Sequence, residues 1–145
     1  FNWLYDYSQT SPFPVRSTLG QPYRRVAAQR GGIEAGRRAG TTNDGRGVCF
    51  ISHLGDIYPS GFLPVKAGNV RQDSLVEVYR DSPIFKALRD PGQLKGKCGV
   101  CEFNTLCGGC RARAYAVTGD YLAAEPYCVY QPTAWRERIH ASVSD

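Results

Sequence analysis

The sequence predicts a small α+β protein: a β-hairpin and several short helices arranged around a cysteine-rich loop, preceded by the tail of a larger α/β domain. Three features lead to this reading. Five of the six cysteines fall between Cys98 and Cys128. Two short apolar runs, VCFISH and IYPSGF, meet at Leu54-Gly55-Asp56, as a hairpin requires. Before residue 32, helix-like stretches alternate with one extended stretch, too few elements to close a sheet of their own.

The elements follow in order. Phe1, Leu4 and Tyr7, with Trp3 beside them, give FNWLYDYS a helical stripe. PFPVRSTL reads as a short strand weakened by its prolines. Pro22 suits the first turn of a helix continued by YRRVAAQR and stopped at Gly31-Gly32. Residues 31–47, GGIEAGRRAGTTNDGRG, lack periodicity and read as a linker, dividing the chain into 1–45 and 46–145. After the hairpin, Asp73 or Ser74 can cap LVEVYRD, and Ser82-Pro83 can open IFKALRD, which Pro91-Gly92 stops. Lys95 to Cys110 reads as a knuckled loop. RARAYAVT then forms a helix ended by Gly119, and QPTAWRERIHASV a last one.

Composition narrows the function. With 42% hydrophobic residues, 16 glycines and nine prolines in 145 residues, the chain is folded but loop-rich. No apolar run nears the roughly 20 residues of a membrane helix, and the start lacks the regions of a signal peptide, so a cytoplasmic protein with no membrane partner is expected. The sequence has no Met and opens on Phe1, which reads as a piece of a longer protein. The net charge of +5 is dispersed over Arg24-Arg25, Arg37-Arg38 and Arg111/Arg113. None of these sits in a nucleic-acid motif, so no nucleic-acid partner is expected.

KCGVCEFNTLCGGC carries four cysteines spaced C-x2-C-x5-C-x2-C, and Cys128 follows Cys110 by seventeen intervening residues. Nothing signals the oxidising compartment that a disulfide framework needs. The polar surroundings of Lys97, Gly99, Glu102 and Gly109 argue against buried thiols, so the loop is expected to bind metal. Zinc knuckles are usually separated by a dozen or more residues. A cubane [4Fe-4S] cluster is larger, and takes ligands from a tight loop plus one distant segment. Gly108 and Gly109 let the backbone approach a cluster, and Arg111, Arg113, Lys95 and Lys97 offset its negative charge. The spacing favours iron–sulfur and leaves zinc as the alternative occupant.

The segment KCGVCEFNTLCGGCRARAYAVTGDYLAAEPYC resembles the C-terminal auxiliary-cluster region of radical S-adenosylmethionine (SAM) proteins of the SPASM/twitch type. It is most similar to members acting in alternative haem and haem d1 biosynthesis, and to related peptide-modifying enzymes. GVCFISHLGDIYPSGFLP, GNVRQDSLVEVYRDSPIFKALRD and the opening WLYDYS…PFPVRSTLGQPYRRV resemble the same family. The resemblance makes residues 1–45 the end of a partial (β/α) barrel and linker, and 46–145 the cluster domain. It implies Cys98, Cys101, Cys107 and Cys128 as ligands of one auxiliary [4Fe-4S] cluster. Cys110 is then a spare thiol or a substitute ligand, because Ser60 stands where a second cluster would take a cysteine. Cys49 on its strand reads as a small buried apolar residue.

The family's C-x3-C-x2-C motif is absent, so S-adenosylmethionine chemistry is expected only with the missing barrel. The implied substrates are a tetrapyrrole or a peptide. Two other readings compete: a binding module stabilised by zinc on the same four cysteines, and a free-standing iron–sulfur electron carrier. Tyr58, Tyr115 and Tyr127 fit packing around the cluster and ordinary core packing equally, while His53 and His140, which lack partners at ligand spacing, are expected at the surface or in turns.

Overall fold

A computed structural model of the chain describes residues 1–39 and 43–143, the side chains of residues 140, 142 and 143 excepted. The expectations for His140 and for residues 40–42 of the linker therefore lie outside the described residues. The described residues form seven α-helices and one three-stranded antiparallel sheet, an α+β arrangement.

Helices α1 (Asn2–Thr10) and α2 (Pro22–Arg38) pack on each other at the start of the chain. The strand expected at PFPVRSTL is not formed. Pro12 and Pro14 remove two backbone donors, and the segment instead makes turns, with the Phe13 N–H on Ser11 Oγ and the Gly20 N–H on Ser17 Oγ. Pro22 sits in the first turn of α2, as expected. The Gly31-Gly32 stop is instead a kink: Gly32 takes φ 82° and ψ 169°, and the chain re-enters helix as far as Arg38. Helix formers on both sides of the glycine pair, and the Arg37–Glu34 ion pair at 2.6 Å, favour that continuation.

The hairpin joins β1 (Phe50–Ile51) to β2 (Asp56–Tyr58), pairing Phe50 with Tyr58 and Ile51 with Ile57. A third strand the sequence reading missed, β3 (Gly68–Asn69), pairs with β2. Helices α3 (Leu75–Asp81) and α4 (Pro83–Arg89) follow, and each is capped by a serine as its sequence required. The Glu77 N–H donates to Ser74 Oγ and the Ile84 N–H to Ser82 Oγ. Arg89 closes the other end of α3 by donating to the carbonyls of Tyr79 and Arg80.

A short 3₁₀ turn, Pro91–Gln93, leads to the one-turn helix α5 (Gly96–Gly99); α6 (Arg111–Thr118) and α7 (Thr133–Val143) complete the chain. The apolar core is thin. Ile57, Leu63, Phe85 and Ala114 are fully buried, and Leu88 nearly so. Phe85 and Leu88 pack against Gly45, which lies before the hairpin.

With so few large core side chains, Phe85 carries a large share of the apolar stability. Phe85→Ala is expected to cost about 3–5 kcal/mol in urea unfolding. A loss below about 1 kcal/mol would show that the core lies elsewhere.

Candidate metal centre

The loop after α5 coils through successive turns. The Cys101 N–H donates to the Cys98 carbonyl at 3.4 Å, the Asn104 N–H to the Cys101 carbonyl at 3.0 Å, and the Cys107 N–H to the Phe103 carbonyl at 2.8 Å. This winding brings Cys98, Cys101 and Cys107 to one pocket, which Cys128 reaches from the segment after α6. All four cysteines are half-buried and carry free thiols. Burial is the main force raising Cys107 to about 11, and Cys128, Cys98 and Cys101 push it the same way. Cys110 takes no part in this group. It lines a different pocket, its thiol is raised by burial, and its charged neighbours are Asp44, Arg113 and Glu125. Among the described residues, no three His, Cys, Asp or Glu side chains stand at the spacing of a single bound ion.

The wall between the two pockets is polar and tightly held. Gly108 and Gly109 both have φ of +66°. A Cβ on Gly109 would lie 2.5 Å from Arg111 Nη2, 2.9 Å from Glu125 Cβ and 3.3 Å from Cys98 Sγ, so only glycine fits there. Arg111 is 1% exposed, donating to the carbonyls of Tyr121 (3.1 Å) and Ala123 (2.7 Å) and lying 3.8 Å from Cys98 Sγ. Glu125 is equally buried. Its carboxylate accepts the Cys110 N–H at 2.7 Å and a two-pronged contact from Arg113 at 2.8 and 3.1 Å. Its own N–H donates to Cys98 Sγ at 3.3 Å.

The open side of the pocket is covered by α2 and the C-terminal segment, through Pro22, Arg25, Tyr130 and Pro132. The Arg25 guanidinium lies 4.4 Å over the Tyr130 ring, and the Tyr130 hydroxyl donates to Glu102 at 2.5 Å. Burial, reinforced by that bond, raises the phenol to about 12, so it stays neutral.

No family model matches the chain. It is, however, 44% identical over 141 residues to the AdoMet-dependent heme synthase of Methanosarcina barkeri, covering 90% of this chain and 40% of that protein. The pre-heme d1 synthase of Dinoroseobacter shibae is 35% identical over 111 residues, covering 74% of this chain and 27% of that protein. The PqqA peptide cyclase of Methylocella silvestris is 43% identical over 65 residues, covering 44% of this chain and 17% of that protein. The proteins that the chain matches are radical SAM enzymes with SPASM-type domains. The chain covers their C-terminal part and spans about two fifths of the length of the haem synthases it matches.

Arg111 and Lys97 stand at the cysteines: Lys97 lines the pocket and its ammonium donates to the Cys128 carbonyl. Lys95 instead pairs with Asp120 at 2.6 Å. Tyr58, Tyr115 and Tyr127 are not among the pocket-lining residues, and Tyr127 is 69% exposed; Phe103 and Tyr130 are the aromatic lining. Tyr127 follows a turn in which its N–H is used on Glu125, which leaves the ring in solvent. Cys49 is half-buried and lines the second pocket with Cys110 rather than a core, because β1 is an exposed edge. His53 is exposed in the hairpin turn, as expected.

The supports missed from the sequence lie in the supposed linker. Asn43 donates to the Cys107 carbonyl at 3.1 Å and Arg46 to the Thr105 carbonyl at 2.9 Å. Asp44 accepts the Ala112 N–H at 3.0 Å, placing a carboxylate on the N-terminus of α6. Asn43 and Asp44 are both buried. The one signal available was the Asn-Asp-Gly turn chemistry, which tells of a turn and not of its partners.

The raised Cys107 thiol gives a pH signature. The folded, metal-free chain holds this proton more tightly than the unfolded one. The stability it contributes is therefore complete below the unperturbed value of 9.0 and is lost as the pH rises toward about 11. In metal-free protein at about pH 8, iodoacetamide is expected to label Cys107 well below the denatured-chain rate, accelerating as the pH rises. Equal rates in the folded and denatured chain would contradict this.

Proposed function

We propose that the chain holds one auxiliary [4Fe-4S] cluster on Cys98, Cys101, Cys107 and Cys128, as the C-terminal part of a radical SAM enzyme. The observation that carries this reading is the single pocket shared by these four thiols while Cys110 faces another. The donor set fits. Zinc at about 2.3 Å from each sulfur draws its thiolates almost into contact, and the cysteines are not gathered that closely. Four thiols that share one pocket without standing at the spacing of a single ion suit a larger, multi-iron group. The absence of room for a Cβ on Gly109 keeps the loop backbone close to that group.

A cubane held there supplies one-electron chemistry. The chain's own residues set its surroundings. Arg111 and the Glu125 N–H donate to the Cys98 sulfur and stabilise negative charge on it. Phe103, Tyr130, Pro22 and Pro132 exclude water from the pocket. With Ser60 on Asp44 and Cys49 alone at the hairpin, one cluster is assigned rather than two.

Binding of S-adenosylmethionine belongs to a preceding barrel, of which residues 1–45 are the end and to which 46–145 adds the cluster domain. In that enzyme the cluster exchanges an electron with the substrate or helps to position it. A tetrapyrrole substrate is favoured over a peptide: matches to the haem synthases run over 90% of this chain, against 44% for the peptide cyclase.

Variants reconstituted anaerobically with iron and sulfide test the ligand set by their visible absorption. Cys107→Ser is expected to lose most of it and Cys110→Ser to retain it. Loss in Cys110→Ser with retention in Cys128→Ser would assign the ligands to the compact loop alone.

A further inference from the structure

The second pocket lies back to back with the cysteine pocket, and the cluster does not use it. It is a cavity of ≈ 530 Å³, within the range of about 300–1,000 Å³ common for small-molecule sites. Its walls come from Leu19, the hairpin residues around Phe50 and Phe62, and the start of α6. The shared wall is short. The Cys110 N–H is bound to Glu125, whose own N–H reaches Cys98 Sγ, so two hydrogen bonds separate this pocket from a thiol of the other.

The rim is apolar and open. Leu19 is 45% exposed, Phe50 45% and Phe62 64%, three large side chains around one cavity. Its charges are unequal in availability. The one carboxylate in the lining, Asp44, accepts from the Ser60 hydroxyl through one oxygen and from the Ala112 N–H through the other. Arg113 spends Nε and Nη2 on Glu125, which leaves Nη1 as a donor. An aromatic and aliphatic rim with one available guanidinium suits a flat, largely apolar molecule that bears carboxylates.

We propose that this pocket seats a haem-type tetrapyrrole beside the cluster, its ring against Leu19, Phe50 and Phe62 and a carboxylate on Arg113. The assignment rests on the function proposed above and adds the place where the substrate class docks. It puts the ring against the wall whose far side carries Cys98, on the route an electron would take.

Cys49 and Cys110 both line the cavity and report on its occupancy. The chain is loaded anaerobically with iron and sulfide, its metal content is measured, haemin is titrated in, and iodoacetamide labelling is read peptide by peptide. Haemin is expected to bind once per chain and to slow labelling of Cys49 and Cys110 by about tenfold. Ala116→Trp, which fills the opening, and Phe62→Ser, an exposed change, are each expected to weaken haemin binding by about tenfold, with iron and sulfide unchanged. Haemin binding that leaves both thiols equally reactive, or that ignores both variants, would overturn the site. Protection of the same thiols by an apolar peptide and not by haemin would reassign the pocket to a peptide. A chain that fails to take up iron and sulfide contradicts the cluster reading instead, before any haemin is added.

Discussion

Glu125 is the side chain on which the rest of this structure depends. A carboxylate 1% exposed is costly unless each oxygen is satisfied. Here the Arg113 guanidinium and the N–H groups of Cys110 and Tyr127 satisfy both. Those contacts tie the segment that delivers Cys128 to the start of α6. The Glu125 N–H ties the same segment to Cys98. One residue thus fixes the distance between the cysteine loop and the distant cysteine.

The surrounding fold has little apolar material with which to do this otherwise. Its buried apolar side chains are concentrated in α2 and α4, with Ile57 alone from the sheet, and none of them lies between Cys98 and Cys110. Polar struts take over: Asn43 and Arg46 on loop carbonyls, Asp44 on the N-terminus of α6, and Arg111 on two carbonyls. Such a loop leaves its thiols grouped and partly buried but chemically unsatisfied. Its order is therefore coupled to whatever binds the thiols, because ligand binding and loop folding share one free energy.

Much of this was legible in the sequence where the cause is local. Ser74 and Ser82 cap α3 and α4, and Gly119 ends α6, because capping involves residues within one turn. The cysteine spacing pointed to the pocket that the four thiols line, since three of them lie within ten positions. What could not be read depends on partners far along the chain. Asp44 meets Ala112 across 68 positions, and Asn43 meets Cys107 across 64, in a stretch whose composition spells only a turn. Strand β3 has two residues and no alternation to reveal it. The continuation of α2 past Gly32 was hidden because a Gly-Gly pair signals a helix stop whether or not helix formers follow it.

The chain covers the C-terminal part of its radical SAM relatives. The claim within reach of this chain alone is what its four grouped thiols bind. Iron, acid-labile sulfide and zinc per chain, determined on anaerobically purified and reconstituted protein, test it most directly. About four iron and four sulfide, the content of one cubane, is the result expected. One zinc with no sulfide would contradict it and leave the four cysteines as a structural zinc site.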